Sequence, residues 1–101
     1  MSELLRLKLV TVIAERILRS RLVSEVRDLG ARGFTLSEVT GEGSRGVRAS
    51  EWEGSNIKLE MIVAGDVAES IVAHISATYF EYHAVIVYVQ DVDVVRGDKY
   101  L

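Results

Sequence analysis

Near the start of the chain Leu5, Leu7 and Leu9, followed by Thr11, alternate with Arg6, Lys8 and Val10. A period of two sends successive side chains to opposite faces, so the segment predicts a first strand buried on its odd-numbered side. From Glu15 to about Arg32 the period lengthens. Ile17, Leu18, Leu22, Val26 and Leu29 recur at steps of three and four, while Arg16, Arg19, Arg27 and Asp28 fall largely elsewhere. That spacing predicts an amphipathic helix, stopped near Gly30. Phe34 to Thr40 predicts a short second strand, and the fifteen residues from Gly41 to Ser55 are predominantly polar. Ile57, Leu59, Met61 and Val63 then alternate with Lys58, Glu60 and Ile62, the clearest two-residue period in the chain and a predicted third strand. Asp66 stands where a helix cap is expected, with Glu69 placed to complete a capping box; Ile71, Val72, Ile75 and Tyr79 form the stripe of a second helix. Ala84 to Val89 is an unbroken apolar run rich in β-branched residues, which predicts a strand covered on both sides. Val92, Val94 and Val95 extend it or pair separately.

Strand, helix, strand, strand, helix, strand is the order of a ferredoxin-like βαββαβ sandwich, an α+β fold with two helices on one face of an antiparallel sheet. That fold hosts many unrelated activities, so function is sought in the element that departs from it. Hairpin connections ordinarily take about two to five residues. The loop 41–55 is far longer, which marks it as functional.

Composition narrows the field. With 101 residues, 49% of them hydrophobic, residues 1–101 are expected to form a single domain with one core. Cysteine is absent, which removes disulfides, thiolate metal sites and thiol catalysis together. There is no run of about eighteen apolar residues and no signal-peptide pattern at the N-terminus, so a cytoplasmic location is expected. The net charge of −3 divides unevenly: Met1 to Gly33 carries seven Lys/Arg against four Asp/Glu, the remainder five against eleven. Nucleic-acid binding draws on many phosphate contacts, and a chain acidic overall is not built for it. Proline is absent and four of the eight glycines lie between Gly41 and Gly54.

The loop opens with Gly41, Glu42, Gly43, Ser44, Arg45 and Gly46, which spells GxGxxG after a strand. A dinucleotide fingerprint needs a helix starting at the last glycine inside a parallel βαβ unit, and here the next regular element is a strand. No Gly-Lys-Ser/Thr ending is present, which excludes a nucleoside-triphosphatase phosphate loop. What remains is the capacity beneath both motifs. Glycines let backbone N–H groups converge on an anion, and Arg45 and Arg48 add forked donors suited to phosphate. The alternative is a solvated loop whose arginines pair with Glu42, Glu51 and Glu53.

The stretch GARGFTLSEVTGEG (Gly30–Gly43) resembles the helix end, second strand and loop entry of PII signalling proteins, and NIKLEMIV (Asn56–Val63) resembles their strand beyond the loop. Within that family the loop is similar to the Gly-Ser-Arg-x-x-Arg segment of the cyanobacterial SbtB regulators, associated with a sodium-dependent bicarbonate transporter; here the residues are Gly43, Ser44, Arg45 and Arg48. The resemblance implies a cytoplasmic homotrimer that does no chemistry and binds an adenine nucleotide (AMP, cAMP, ADP or ATP, with or without a divalent cation) between subunits. By position in the resembling strands, Phe34, Thr35, Ile62, Val87, Tyr88 and Val89 line the adenine and ribose side, while Gly41, Gly43, Ser44, Arg45 and Arg48 take the phosphates. The loop with Val47, Glu51, Trp52 and Glu53 then contacts the partner, a membrane bicarbonate transporter. Two departures matter. The glutamine that follows the loop-entry arginine in PII proteins has no counterpart, which argues against 2-oxoglutarate sensing. Tyr82, His83, Ala84 and Val85 replace a Gly-Asp-Gly-Lys segment, which favours nucleotides with fewer phosphates.

Other candidates are weaker. His74 and His83 have no third ligand at a metal-binding spacing. Glu51 and Glu53 alternate in a polar loop, the ordinary pattern of a solvated segment. Arg96, Gly97 and Asp98 spell an adhesion tripeptide without any other sign of secretion. Trp52 is a large aromatic in a polar loop and suits a partner contact better than local packing. A small ferredoxin-like enzyme with a pocket beside the sheet remains an alternative; it requires an acid/base pair or cofactor site on the rigid elements. A structural trimer-forming module without ligand is the third.

Overall fold

A computed structural model describes residues 3–41 and 55–101. Strand β1 (Leu4–Glu15) leads through a 3-10 turn (Arg16–Leu18) into helix α1 (Arg19–Asp28). Strands β2 (Thr35–Val39) and β3 (Asn56–Val63) flank the long loop, and α2 (Gly65–Tyr79), β4 (Ile86–Val95) and a C-terminal 3-10 turn (Gly97–Tyr100) follow. The strands form one antiparallel sheet in the order β2-β3-β1-β4. This is the ferredoxin-like α+β arrangement that the periodicity predicts.

Alternation on β3 decides which face is covered. Ile57, Leu59, Met61 and Val63 are all buried and pack with Leu22 and Val26 of α1 and with Ala68, Ile71, Ile75 and Tyr79 of α2. Register carries this parity across the sheet, since Leu59 stands opposite Val12 on β1 and Leu36 on β2. The helix-covered residues of β1 are therefore Val10, Val12 and Ala14, not the predicted Leu5, Leu7, Leu9 and Thr11. From Leu9 to Ala14 the residues of both parities are small or apolar, so the strand's own pattern does not fix its inner face. The odd side faces away from the helices, and Leu7 is buried there because the C-terminal turn folds back with Gly97 against Leu5 and Leu7. Arg96, in the left-handed region at φ 60°, makes that reversal. A Cβ on Gly97 would come within 2.9 Å of the Leu5 Cβ.

Three further expectations are corrected. The first helix starts at Arg19 rather than Glu15, because β1 continues to Glu15 in register with Asn56 of β3; Ile17, counted in the stripe, is exposed. The capping box at Asp66 does not form. The N-cap is Ala64, and Asp66 sits in the first turn of α2, its Oδ1 accepting the Val67 N–H at 2.9 Å. An acid there still meets the positive end of the helix dipole. Finally, β4 is an edge strand rather than one covered on both sides: Ile86, Tyr88 and Val89 are exposed on it. Among the described residues no helix is long and apolar enough to cross a membrane.

The two helices are joined by a polar knot. The Tyr79 hydroxyl, on a residue otherwise fully buried, donates to Glu25 Oε1 at 2.6 Å. His74 Nε2 lies 3.1 Å from the same oxygen, an ion-pair distance outside hydrogen-bonding geometry, and the Arg21 guanidinium sits 5.1 Å from the Tyr79 ring centroid. Burial raises the Glu25 carboxyl, but Tyr79, His74 and Arg21 outweigh it and hold its pKa below the ordinary value. Burial first, and the Glu25 hydrogen bond second, push the Tyr79 hydroxyl up to about 12. Glu25 therefore contributes stability that is present above its unfolded pKa of about 4.3 and is lost as pH falls through the lower folded value. Tyr79 contributes stability below about pH 10 that is lost as pH rises through its raised value. Glu25→Gln is expected to flatten the acid limb of melting temperature against pH; an unchanged slope would place the acid sensitivity elsewhere.

Candidate functional site

The open face of the sheet, away from the helices, carries one cross-strand row through all four strands. Thr35 stands opposite Glu60, Glu60 opposite Thr11, and Thr11 opposite Tyr88. Directly paired residues share a face, so these four side chains project the same way. Thr11 is 1% exposed and its Oγ1 has no hydrogen-bond partner among the described residues. A hydroxyl left so costs about 1–3 kcal/mol.

At the β2 end of this row lies a hollow of about 390 Å³. Its floor is apolar, Leu9 of β1 and Ile62 of β3, which are direct partners across the sheet. Gly33, Phe34 and Thr35 bound one side as the chain enters β2, and Glu60 contributes a carboxylate beside the Thr35 hydroxyl. Lys99 and Tyr100 bound the other side, brought there by the C-terminal turn. The size lies within the usual range for small-molecule sites, and the mixture of apolar floor, aromatic walls and a few polar groups is their usual composition. A planar ring system with donor groups on its edge suits it, since Glu60 accepts and Thr35 both donates and accepts.

Of the residues expected to touch a ligand, Phe34, Thr35 and Ile62 come together in this hollow. Val87, Tyr88 and Val89 lie on β4, with β1 between them and β3. Their side chains diverge. Tyr88 is on the open face, while Val87 is partly buried against the core and Val89 shares its side of the strand. Gly41 follows the end of β2 and is exposed. Gly43, Ser44, Arg45 and Arg48, and the partner-contact set Val47, Glu51, Trp52 and Glu53, lie outside the described residues. Sequence reasoning missed Leu9, Glu60, Lys99 and Tyr100. Glu60 had a usable signal, a charged residue on the non-core parity of the clearest strand; Lys99 and Tyr100 had none, because only the reversal at Arg96 and Gly97 brings them to β1. Among the described residues no group of three or more His, Asp or Glu is placed to hold a metal ion.

The family model described as nitrogen regulatory protein P-II matches residues 7–99. This chain belongs to the PII family. A solved PII-like signalling protein from Thermus thermophilus is 52% identical and superposes with a TM-score of 0.86 over 98% of this chain and 99% of that one. CPII from Thiomonas intermedia, a nitrogen regulatory PII-like protein solved with ADP, AMP and bicarbonate, gives a TM-score of 0.86 at 23% identity, over 99% of this chain and 98% of its own. At that identity the likeness shows the PII fold. A DUF3240 family protein from Shewanella baltica shares it more loosely, with a TM-score of 0.66 at 15% identity over 85% and 89% of the two chains. No curated protein matches the sequence.

Proposed function

We propose that this PII protein is a non-enzymatic sensor of adenine nucleotides. In this reading AMP, cAMP, ADP or ATP binds between the subunits of a homotrimer, and the loop 41–55 signals the bound state to a membrane bicarbonate transporter from the cytoplasmic side, as the likeness to SbtB regulators implies. The observation that carries it is the placement of the hollow relative to the loop. Thr35, at the hollow, and Val39, at the loop entry, are the two ends of β2, a strand separation of roughly 13 Å. A purine seated by Thr35 and Glu60 would therefore run its phosphates along β2 toward Gly41, where Gly43, Ser44, Arg45 and Arg48 follow in sequence.

One finding supports the assembly. The open face ends in an edge strand with Ile86 and Tyr88 exposed on it. A neighbouring copy laid against this face would bury both. It would also bring another subunit's Tyr88 toward the hollow, so that Tyr88, set apart from Phe34, Thr35 and Ile62 in one chain, meets them across an interface. That CPII was solved with ADP, AMP and bicarbonate supports adenine nucleotide and inorganic carbon as the signals. Calorimetric titration with AMP, cAMP, ADP and ATP tests the reading: at least one should bind at micromolar or lower concentration. Failure of all four at millimolar concentration, with and without magnesium, would contradict it.

A further inference from the structure

We infer that a second ligand site, for a phosphorylated sugar or polyol, lies on the outer face of α1. A hollow of about 460 Å³ runs along this helix, sharing with the sheet-side hollow only Phe34 among its lining residues. Two helical rows line it. Arg19, Val23 and Arg27 recur every four residues, and Ser20, Ser24 and Asp28 form the adjacent row, each stacked along one stripe of the surface. Phe34 closes the end, its ring 5.3 Å from the Arg27 guanidinium.

Charge pairing singles out this stretch. The one acid in the middle of α1, Glu25, is taken by Tyr79 and His74 on the other side of the helix, with Arg21 turned to the same knot. Arg19, Arg27 and Asp28 form no ion pair among the described residues. Arg19, with the Ser20 hydroxyl beside it, offers forked donors for a phosphate at one end of the hollow, while Arg27 and Asp28 stand roughly 12 Å along the helix at the other. Asp28 would repel a bare anion but accepts hydrogen bonds from hydroxyls, and the Phe34 ring offers a flat apolar wall for the C–H face of a sugar. A ligand that is anionic at one end and hydroxylated at the other uses every polar lining group; a simple anion leaves Asp28 unused.

Glucose 6-phosphate, glucose and inorganic phosphate are the probes, titrated calorimetrically into the full chain. Glucose 6-phosphate should bind more tightly than either alone, and Arg19→Ala and Asp28→Ala should each weaken it about tenfold or more. These side chains are exposed, so both variants should melt like the parent chain. Saturating ADP should leave glucose 6-phosphate bound, because Phe34 is the one lining residue the two hollows share. Inorganic phosphate binding as tightly as glucose 6-phosphate, unchanged affinity in either variant, absence of binding at millimolar concentration, or displacement by ADP would each overturn the assignment. Because the probe is titrated without nucleotide, failure here is distinct from failure of the nucleotide reading.

Discussion

Replacing Arg45 or Arg48 by alanine is expected to weaken adenine-nucleotide binding about ten- to a hundred-fold in each case. The argument runs from the fold to the loop. Val39 is paired with Asn56, so both ends of the loop leave the sheet side by side at one end of β2, while the hollow lies at the other. With the base in the hollow, the phosphates point toward the loop entry. Glu60, the one acid of the hollow, offers them nothing, Lys99 is at the base end, and Lys58, opposite Ser37, is a single point charge along the way. Arg45 and Arg48 are the first cations the chain supplies beyond β2. Loss of a charge-assisted hydrogen-bond partner to phosphate costs about 1.5–3 kcal/mol, the origin of the expected factor. Titrations of ADP and AMP into each variant check it. An effect that grows with phosphate number would support contact with the phosphates; equal affinity for parent and variants would remove both arginines from the site.

Leu59→Ala should lower stability by about 2–5 kcal/mol, whereas Lys58→Ala should change it by no more than about 0.5 kcal/mol. The two residues are neighbours in β3 but project to opposite faces. Leu59 is fully buried under both helices, and its truncation leaves a cavity that close-packed neighbours fill only partly. Lys58 lies on the open face opposite Ile13 and Ser37. In a domain of this size the first change corresponds to a drop in melting temperature of about 8 °C or more. Because assembly makes melting concentration-dependent, the comparison is made at one protein concentration. Similar losses for both variants would mean that the open face is as tightly packed as the core.

The contrast between β3 and β1 shows what the sequence could and could not reveal. On β3 every core position is apolar and the intervening ones include Lys58 and Glu60, so alternation alone names the inner face. On β1 the same period is present but Val10, Thr11, Val12 and Ile13 satisfy either face, and the choice falls to the helices packed above and to register with β3. The β4 run from Ile86 to Val89 is apolar at both parities for a different reason. In one chain it is an exposed edge, and the proposed neighbouring copy would cover its open-face residues Ile86 and Tyr88. The candidate site divides along the same line. Phe34, Thr35 and Ile62 were legible through the resemblance of the strands on either side of the loop to those of PII proteins. Leu9 and Tyr100 reach them only through sheet order and the C-terminal reversal, which no local pattern encodes.

Mixing two disabled variants tests most directly whether nucleotide binds between subunits. Glu60→Ala removes a group on the hollow's side of the proposed interface and Tyr88→Ala one on the β4 side, so each variant alone should bind ADP weakly. When the two are unfolded together and refolded as mixed trimers, random assortment pairs an intact hollow with an intact β4 edge at about a quarter of the sites. The account predicts that this fraction of high-affinity ADP sites reappears in calorimetric titration. A mixture that binds no better than its two parents would show that Glu60 and Tyr88 do not meet across an interface, and would contradict the account at its centre.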